Sequence, residues 1–249
     1  MADGYRFDGL GAKDIAAALD LPAVELLEST TSTLDVAHRL GAAGFEAGTL
    51  VIAEHQTAGR GRSGSHWTSR QAHGLWLTLL ERPRDTSGLE VLSLRAGLRS
   101  ARALDRFAAE PVRLKWPNDL YVDGRKLGGI LIEARWREGR LDWVAVGIGV
   151  NVKAPDDVPL AAALDPGTVR VEVLSDLIPA LRDAAQSAGN LTPVELIEWN
   201  ARDMARGREC VEPARGTVEG INAGGELLVA LADSIARFRS GSLVLANPS

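Results

Sequence analysis

The chain has 249 residues, 45% apolar and 24% charged, which is ample material for a buried core and excludes a disordered chain. Its net charge of -5 leaves no global basic field for nucleic acid or an anionic membrane, so any anion site must be local. The single cysteine, Cys210, excludes an intramolecular disulfide and a thiolate-rich metal site. Together with an N-terminus unlike a signal peptide and the lack of any run of about 18 apolar residues, it points to a cytoplasmic protein. Basic residues are lopsided: 24 arginines stand against Lys13, Lys115, Lys126 and Lys153. Each of these compact ammonium groups is therefore a position to inspect.

Helical spacing covers residues 12–20 and 33–43, with Ser32 or Thr33 at the second N-cap. Residues 48–54 read as a buried strand, 56–72 as a polar loop rich in glycine and arginine, and 74–81 as a second apolar strand. A loop of that length inside a domain is usually functional. The longest helical pattern, 87–109, puts Leu89, Leu92, Leu94, Leu98 and Leu104 on one side for packing on a sheet. Short strands are expected at 112–116, 120–122, 127–134 and 141–152, separated by Asn118-Asp119 and Asp123-Gly124 turn signals. Helices should follow at 174–187 and 193–205, the latter opened by Thr192 and Pro193 at N-cap and N1. From Gly207 the pattern is short and alternating, broken at Arg215-Gly216, Gly224-Gly225 and Asp233-Ser234, as in a small β-barrel of four or five strands. The expected fold is α+β: a mixed or antiparallel sheet flanked by helices over residues 1–205, capped by the small barrel over 206–249.

Gly59-Arg60-Gly61-Arg62-Ser63-Gly64 satisfies the Gly-x-Gly-x-x-Gly spacing after a strand. His66-Trp67-Thr68-Ser69 then leads into another strand, whereas a dinucleotide fingerprint must open a helix. A glycine-rich loop whose arginines fork onto carboxylate or phosphate oxygens fits better, with a solvated surface loop as the plain alternative. Lys115-Trp116-Pro117-Asn118-Asp119 joins a lysine and an aromatic to a turn bearing an amide and a carboxylate. Lys126 stands just ahead of Gly128-Gly129 in an apolar strand, where glycine marks close approach of a ligand or backbone. In Gly147-Ile148-Gly149-Val150-Asn151 the lone amide among apolar residues needs partners that a ligand can supply. His38, His55, His66 and His73 have no spacing that pairs them on a helical turn, so no metal site is expected.

Taken together and in order, EHQTAGRGR at 54–62, KWPNDL at 115–120, RKLGGILIE at 125–133 and GIGVNV at 147–152 resemble the biotin protein ligases. The resemblance runs from about Ser32 to the C-terminus and implies a class II synthetase-like catalytic domain followed by an SH3-like barrel. It implies activation of biotin with ATP, brought as its Mg2+ complex, to biotinyl-5'-AMP. Transfer to a lysine of a biotin carboxyl carrier protein domain of a carboxylase follows, by a monomer or homodimer without a permanently bound cofactor. About 30 residues precede Ser32, room for one helix and a strand, so the monofunctional type is expected, with neither DNA nor a membrane as partner.

Carried over by position, Ser32, Thr33 and Gln56 contact the ureido ring of biotin, with Ser29-Thr30-Thr31 as a second register. Gly59, Arg60, Lys126 and Gly129 complete the biotin side, and Arg62, Trp67, Asn118 and Asn151 line the nucleotide side. Lys126, Arg60, Arg62, Lys115 and Asp119 form the implied catalytic set, with Asp119 positioning Mg2+ or the ligand. Cations suit the task because joining a carboxylate to the α-phosphorus of ATP brings two anions together. The carrier lysine is the nucleophile, so Cys210 has no catalytic part and reads as a buried structural thiol. Leu34 stands at the family's asparagine position, and Ser65 replaces its third loop arginine, with His66 as a partial substitute. Residues 161–164, AAAL, blur the segment after GIGVNV. A lipoate protein ligase and an inactive relative that binds biotin or a carrier remain the alternatives.

Overall fold

Side chains alternate across a strand, so a central strand must satisfy two different faces. The computed structural model describes residues 5–155, 158 and 160–246. Its elements open with α1 (Ala12–Ala18), β1 (Val24–Thr30), α2 (Thr33–Ala42), β2 (Thr49–Gln56), β3 (Gly74–Glu81) and α3 (Leu92–Leu104). β4 (Arg113–Lys115), β5 (Asp119–Val122), β6 (Arg125–Arg137), β7 (Arg140–Asn151), α4 (Arg170–Gln186) and α5 (Pro193–Arg202) follow. The chain closes with β8 (Glu209–Glu212), β9 (Gly216–Ile221), β10 (Leu227–Ala230), β11 (Ile235–Phe238) and β12 (Val244–Leu245). Among the described residues no helix is long and apolar enough to cross a membrane.

The first seven strands form one mixed sheet in the order β1-β2-β3-β7-β6-β5-β4, in which β1 and β2 are parallel and the other neighbours antiparallel. Leu50 and Ile52 of β2, Leu75, Leu77 and Leu79 of β3, and Val146, Ile148 and Val150 of β7 join α3 and α4 in the main core. The opposite face is smaller and more polar. There Val51 and Ala145 pack beneath Leu34, Val36 and Ala37 of α2, and Thr78, Gly147 and Gly149 continue the same parity.

α3 is tied to α5 by Arg95, which is 1% exposed and lies 3.0 Å from Glu195. Glu195 also closes the capping box with Thr192, as the Thr-Pro start implies. Removing either partner of a buried pair of this kind costs about 3–5 kcal/mol.

Three expectations shift. The pattern at 87–109 divides into a 3-10 turn at Leu89–Val91, α3, and a second 3-10 turn at Asp105–Phe107. The longest helix is therefore α4, with 17 residues. β1 lies outside the expected strands because it is a half-exposed edge strand in which no face is consistently buried, leaving alternation nothing to report. β6 and β7 extend to a turn at Glu138-Gly139, both with positive φ, well past the last buried residue of β6. Ladder hydrogen bonds hold those solvent-facing ends, and burial periodicity does not record them.

β8 to β12 form a separate five-stranded antiparallel sheet, β11-β10-β9-β8-β12, with turns at the expected breaks. Val218, Ile221, Leu227 and Val229 from this sheet belong to the same core as the large one. Trp116 pins the two together: its buried Nε1 donates to Gly225 O at 3.1 Å. Gly225 has φ 82, and a Cβ there would stand 2.8 Å from Leu94. Cys210 is buried, its thiol pKa pushed up by that burial, with Sγ against the Ala214 and Gly216 carbonyls.

Candidate active site

Three neighbouring strands bring glycines into register: Gly129 opposite Gly149 opposite Trp76, and Leu131 opposite Gly147 opposite Thr78. Trp67, from the loop between β2 and β3, lies over this floor. A Cβ on Gly149 would stand 2.8 Å from its indole, and one on Gly129 3.5 Å from it. Trp67 meets Trp76 edge-on at 6.2 Å between ring centroids, and its Nε1 is buried without a partner. Gly59 permits the loop to fold back, since a Cβ there would come 2.5 Å from the Trp67 carbonyl.

One end of the floor is neutral and polar. Thr33 N and Thr33 Oγ1 donate to Gln56 Oε1 at 2.9 and 3.2 Å, and Thr78 Oγ1 donates to Thr33 Oγ1 at 2.8 Å. Because a backbone N–H can only donate, Gln56 must present its oxygen to Thr33, which turns its Nε2 donor toward Gly59. Ser69 holds the end of β2 in place, accepting from Gln56 N at 2.8 Å and donating to Gln56 O at 2.9 Å. Ser32 occupies the N-cap of α2 but makes no capping hydrogen bond. Its Oγ is buried and has no partner, an unusual state for a hydroxyl in a finished fold. Of the alternative register Ser29-Thr30-Thr31, Ser29 and Thr30 lie on β1, where Thr30 pairs with Gln56 in the ladder, and the Thr31 hydroxyl donates to Asp35; among the described residues none of the three side chains hydrogen-bonds to Gln56.

The other end is charged. Lys126 Nζ lies 2.7 Å from Asp119 Oδ1 and 5.4 Å from the Trp67 ring centroid. Lys115 pairs in register with Asp119 across β4 and β5. Burial pulls the Lys115 pKa down and Lys126 and Arg208 add to the fall, opposed by Asp119. The Lys126 backbone is pinned as well, donating to Leu160 O and accepting from Ala162 N, both at 2.8 Å.

The remaining site candidates are engaged elsewhere. Asn118 Nδ2 donates to Ile130 O at 2.7 Å and fastens the KWPND turn to β6. Asn151 Nδ2 donates to Ala162 O at 3.0 Å and holds the segment after β7. Arg60 is paired with Asp35 and Glu133, at 3.0 and 3.1 Å. Arg62 donates to Gly241 O, in the C-terminal sheet, at 3.2 Å. Ser65, at the missing arginine, turns its hydroxyl back onto Arg62 O. Loop residues 58–62 and 64–66, Leu131 and Glu133 line an open cleft of about 660 Å3. Among the described residues no group of three or more His, Cys, Asp or Glu could hold a metal ion.

Sequence reasoning passed over Thr78, Ser69, Trp76, Glu133, His38 and Asp35. Thr78 did carry a signal, as the one uncharged polar residue in GLWLTLLE, and Glu133 closes a motif already singled out. The others meet their partners only through the fold.

Residues 25–151 match the model of the Biotin/lipoate A/B protein ligase family. The chain is 38% identical over 131 residues to the bifunctional ligase/repressor BirA of Bacillus subtilis, covering 52% of this chain and 40% of that protein. It thus spans well under half the length of that relative. Over 196 residues it is 33% identical to the biotin--[acetyl-CoA-carboxylase] ligase of Mycobacterium tuberculosis, covering 74% of this chain and 72% of that one. Among solved structures, the Aquifex aeolicus biotin protein ligase in complex with biotin and ATP superposes with a TM-score of 0.71 at 26% identity, covering 90% of this chain and 99% of that chain.

Proposed function

The chain belongs to the Biotin/lipoate A/B protein ligase family, and on that premise we propose that it activates biotin with ATP and transfers the biotinyl group to a carrier lysine. The acceptor is a biotin carboxyl carrier protein domain of a carboxylase, the partner that the names of its relatives support. The observation that carries biotin over lipoate is the buried, unpartnered hydroxyl of Ser32, the residue before the Thr33 that donates to Gln56, together with Gln56 Nε2, which makes no hydrogen bond among the described residues. A cyclic urea offers one oxygen acceptor and two N–H donors to such groups. The dithiolane of lipoate offers neither, and would leave the hydroxyl and the amide unsatisfied.

In the first step a biotin carboxylate oxygen attacks the α-phosphorus of Mg-ATP, forming biotinyl-5'-AMP and releasing pyrophosphate. Lys126, Arg60 and Arg62 supply positive charge where two anions meet, in a site walled by Trp67 and the glycine floor. Asp119 fixes the Lys126 ammonium. Mg2+ enters with the phosphates as part of the substrate. Trp67, Asn118 and Asn151 shape the nucleotide side, the two amides by holding backbone rather than by direct contact. In the second step the carrier lysine nitrogen attacks the acyl carbon and AMP leaves, so no enzyme nucleophile is needed. Residues 1–205 act as a class II synthetase-like catalytic domain, and 206–249 as an SH3-like barrel packed against it in the cytoplasm.

Transfer of labelled biotin to a purified carrier domain, run with Mg-ATP beside lipoate and no-ATP controls, tests the proposal. Labelling that requires both biotin and ATP is expected. Biotin binding without pyrophosphate release would point instead to an inactive binding relative.

A further inference from the structure

We propose that Glu133 is a positioning residue for Arg60, itself held from the core by His38 and Trp143; the inference rests on the reading of the cleft as a biotin-adenylating site. Glu133 stands on the site face of β6, opposite Ala145, with its carboxylate in the cleft wall. Both of its oxygens accept from Arg60, Oε1 3.1 Å from Nη1 and Oε2 3.4 Å from Nη2, and Oε2 is shared with His38 Nε2 at 2.8 Å.

The second ring nitrogen of His38 lies 3.0 Å from Trp143 Nε1. An indole N–H only donates, so His38 Nδ1 accepts, and the hydrogen-bond network assigns the ring proton to Nε2, where it is donated to Glu133. Burial increases along this chain: the side chains of Arg60, Glu133 and His38 are 38%, 31% and 15% exposed, and Trp143 is 3% exposed. The Arg60 guanidinium is thereby linked, through Glu133 and His38, to a buried indole. Trp143 is itself confined, since a Cβ on Gly41 would come 2.7 Å from it and the Arg82 guanidinium lies over its ring at 5.5 Å.

Asp35, 51% exposed, takes the other terminal nitrogen of Arg60 from α2. Ion pairs this exposed are individually weak, so they fix the direction of the guanidinium without removing its pull on an anion. Arg60 Nε has no partner among the described residues and is left for the ligand. The glycine-rich loop is in this way fastened to β6 at the mouth of the cleft before any substrate arrives, which is the preorganisation that electrostatic catalysis requires.

The test compares Glu133→Gln, His38→Leu, His38→Gln, Arg60→Ala and the double variant Arg60→Ala/Glu133→Gln. Release of biotinyl-5'-AMP formed in situ is one readout, and trypsin cleavage after Arg60 in the ligand-free protein is the other. Glu133→Gln and His38→Leu should each speed release about fivefold, the scale of a partly exposed charged contact. His38→Gln keeps an N–H near the Nε2 position and should restore wild-type release. The double variant should release no faster than Arg60→Ala alone, because both changes remove the same contact. Additive effects, or wild-type release in both Glu133→Gln and His38→Leu, would overturn the proposal. If the wild-type protein forms no adenylate, the functional reading fails while this one is still decided. Faster cleavage after Arg60 in Glu133→Gln and His38→Leu, but not in His38→Gln, then supports it, and equal cleavage rates overturn it.

Discussion

Replacing Asp203 by asparagine should stabilise the protein at neutral and alkaline pH and leave it nearly unchanged in mild acid. Asp203 follows α5 and is 3% exposed. One of its oxygens accepts from Ala205 N at 2.8 Å, and the other is buried without a partner. Burial pushes its pKa up from 3.8 to about 6, with the Ala205 N–H, Arg113 and Arg206 only partly opposing the rise. The folded state therefore holds this proton more tightly than the unfolded state. Its contribution to stability is complete below about pH 4 and is lost as pH rises through about 6, a change of ~3 kcal/mol. Asparagine keeps an oxygen for Ala205 N and carries no charge at any pH. Urea denaturation of both proteins between about pH 4 and pH 8 isolates the effect, because the difference between them cancels the other titrating groups. The two stability curves should separate by ~3 kcal/mol across that range. Parallel curves would mean that Asp203 ionises freely in the fold, and the reasoning from burial would be wrong.

Lys126→Ala should lower ATP-pyrophosphate exchange in the presence of biotin at least about 100-fold while leaving the thermal transition in place; wild-type exchange would remove Lys126 from the chemistry. Ser32→Ala should weaken biotin binding about tenfold in calorimetry, yet leave the protein without biotin as stable as before or slightly more so, since the hydroxyl makes no hydrogen bond to the described residues. A loss of stability equal to the loss of binding would show that the hydroxyl serves the fold. Trp116→Phe strips the Gly225 carbonyl of its donor inside the core and should cost about 1–3 kcal/mol in urea denaturation. Biotin affinity should be untouched.

Legibility in the sequence followed burial. β2, β3 and β7 read clearly because one face of each is consistently apolar, and α5 because Thr192 and Pro193 fix its start. β1 did not, since an exposed edge strand has no burial rhythm. Within the site, the glycines at 129 and 149 were legible as places of close approach, although the object approaching, the Trp67 indole, was not. The arginines announced themselves by type; their partners did not. Arg60 meets a carboxylate on α2 and another on β6, 73 positions further on, and no local spacing encodes such a pairing. Asn151 stood out as a polar group among apolar neighbours, which signals that a partner exists without saying whether it is a substrate or a backbone carbonyl, whereas Asn118 stood out only as part of a turn.

The one parallel pair in the large sheet has a geometric outcome of its own. Because β1 and β2 run the same way, with Thr30 beside Gln56, both strands finish at the same edge. Ser32 then emerges from one chain end and Gln56 from the other, two residues apart in register though 24 apart in sequence. An antiparallel partner would have delivered its turn to the far edge. The lone residue Thr31 between β1 and the Ser32 N-cap therefore acts as a spacer of fixed length. Inserting one residue there would leave β1, β2 and α2 free to form, but would carry Ser32 out of step with Gln56.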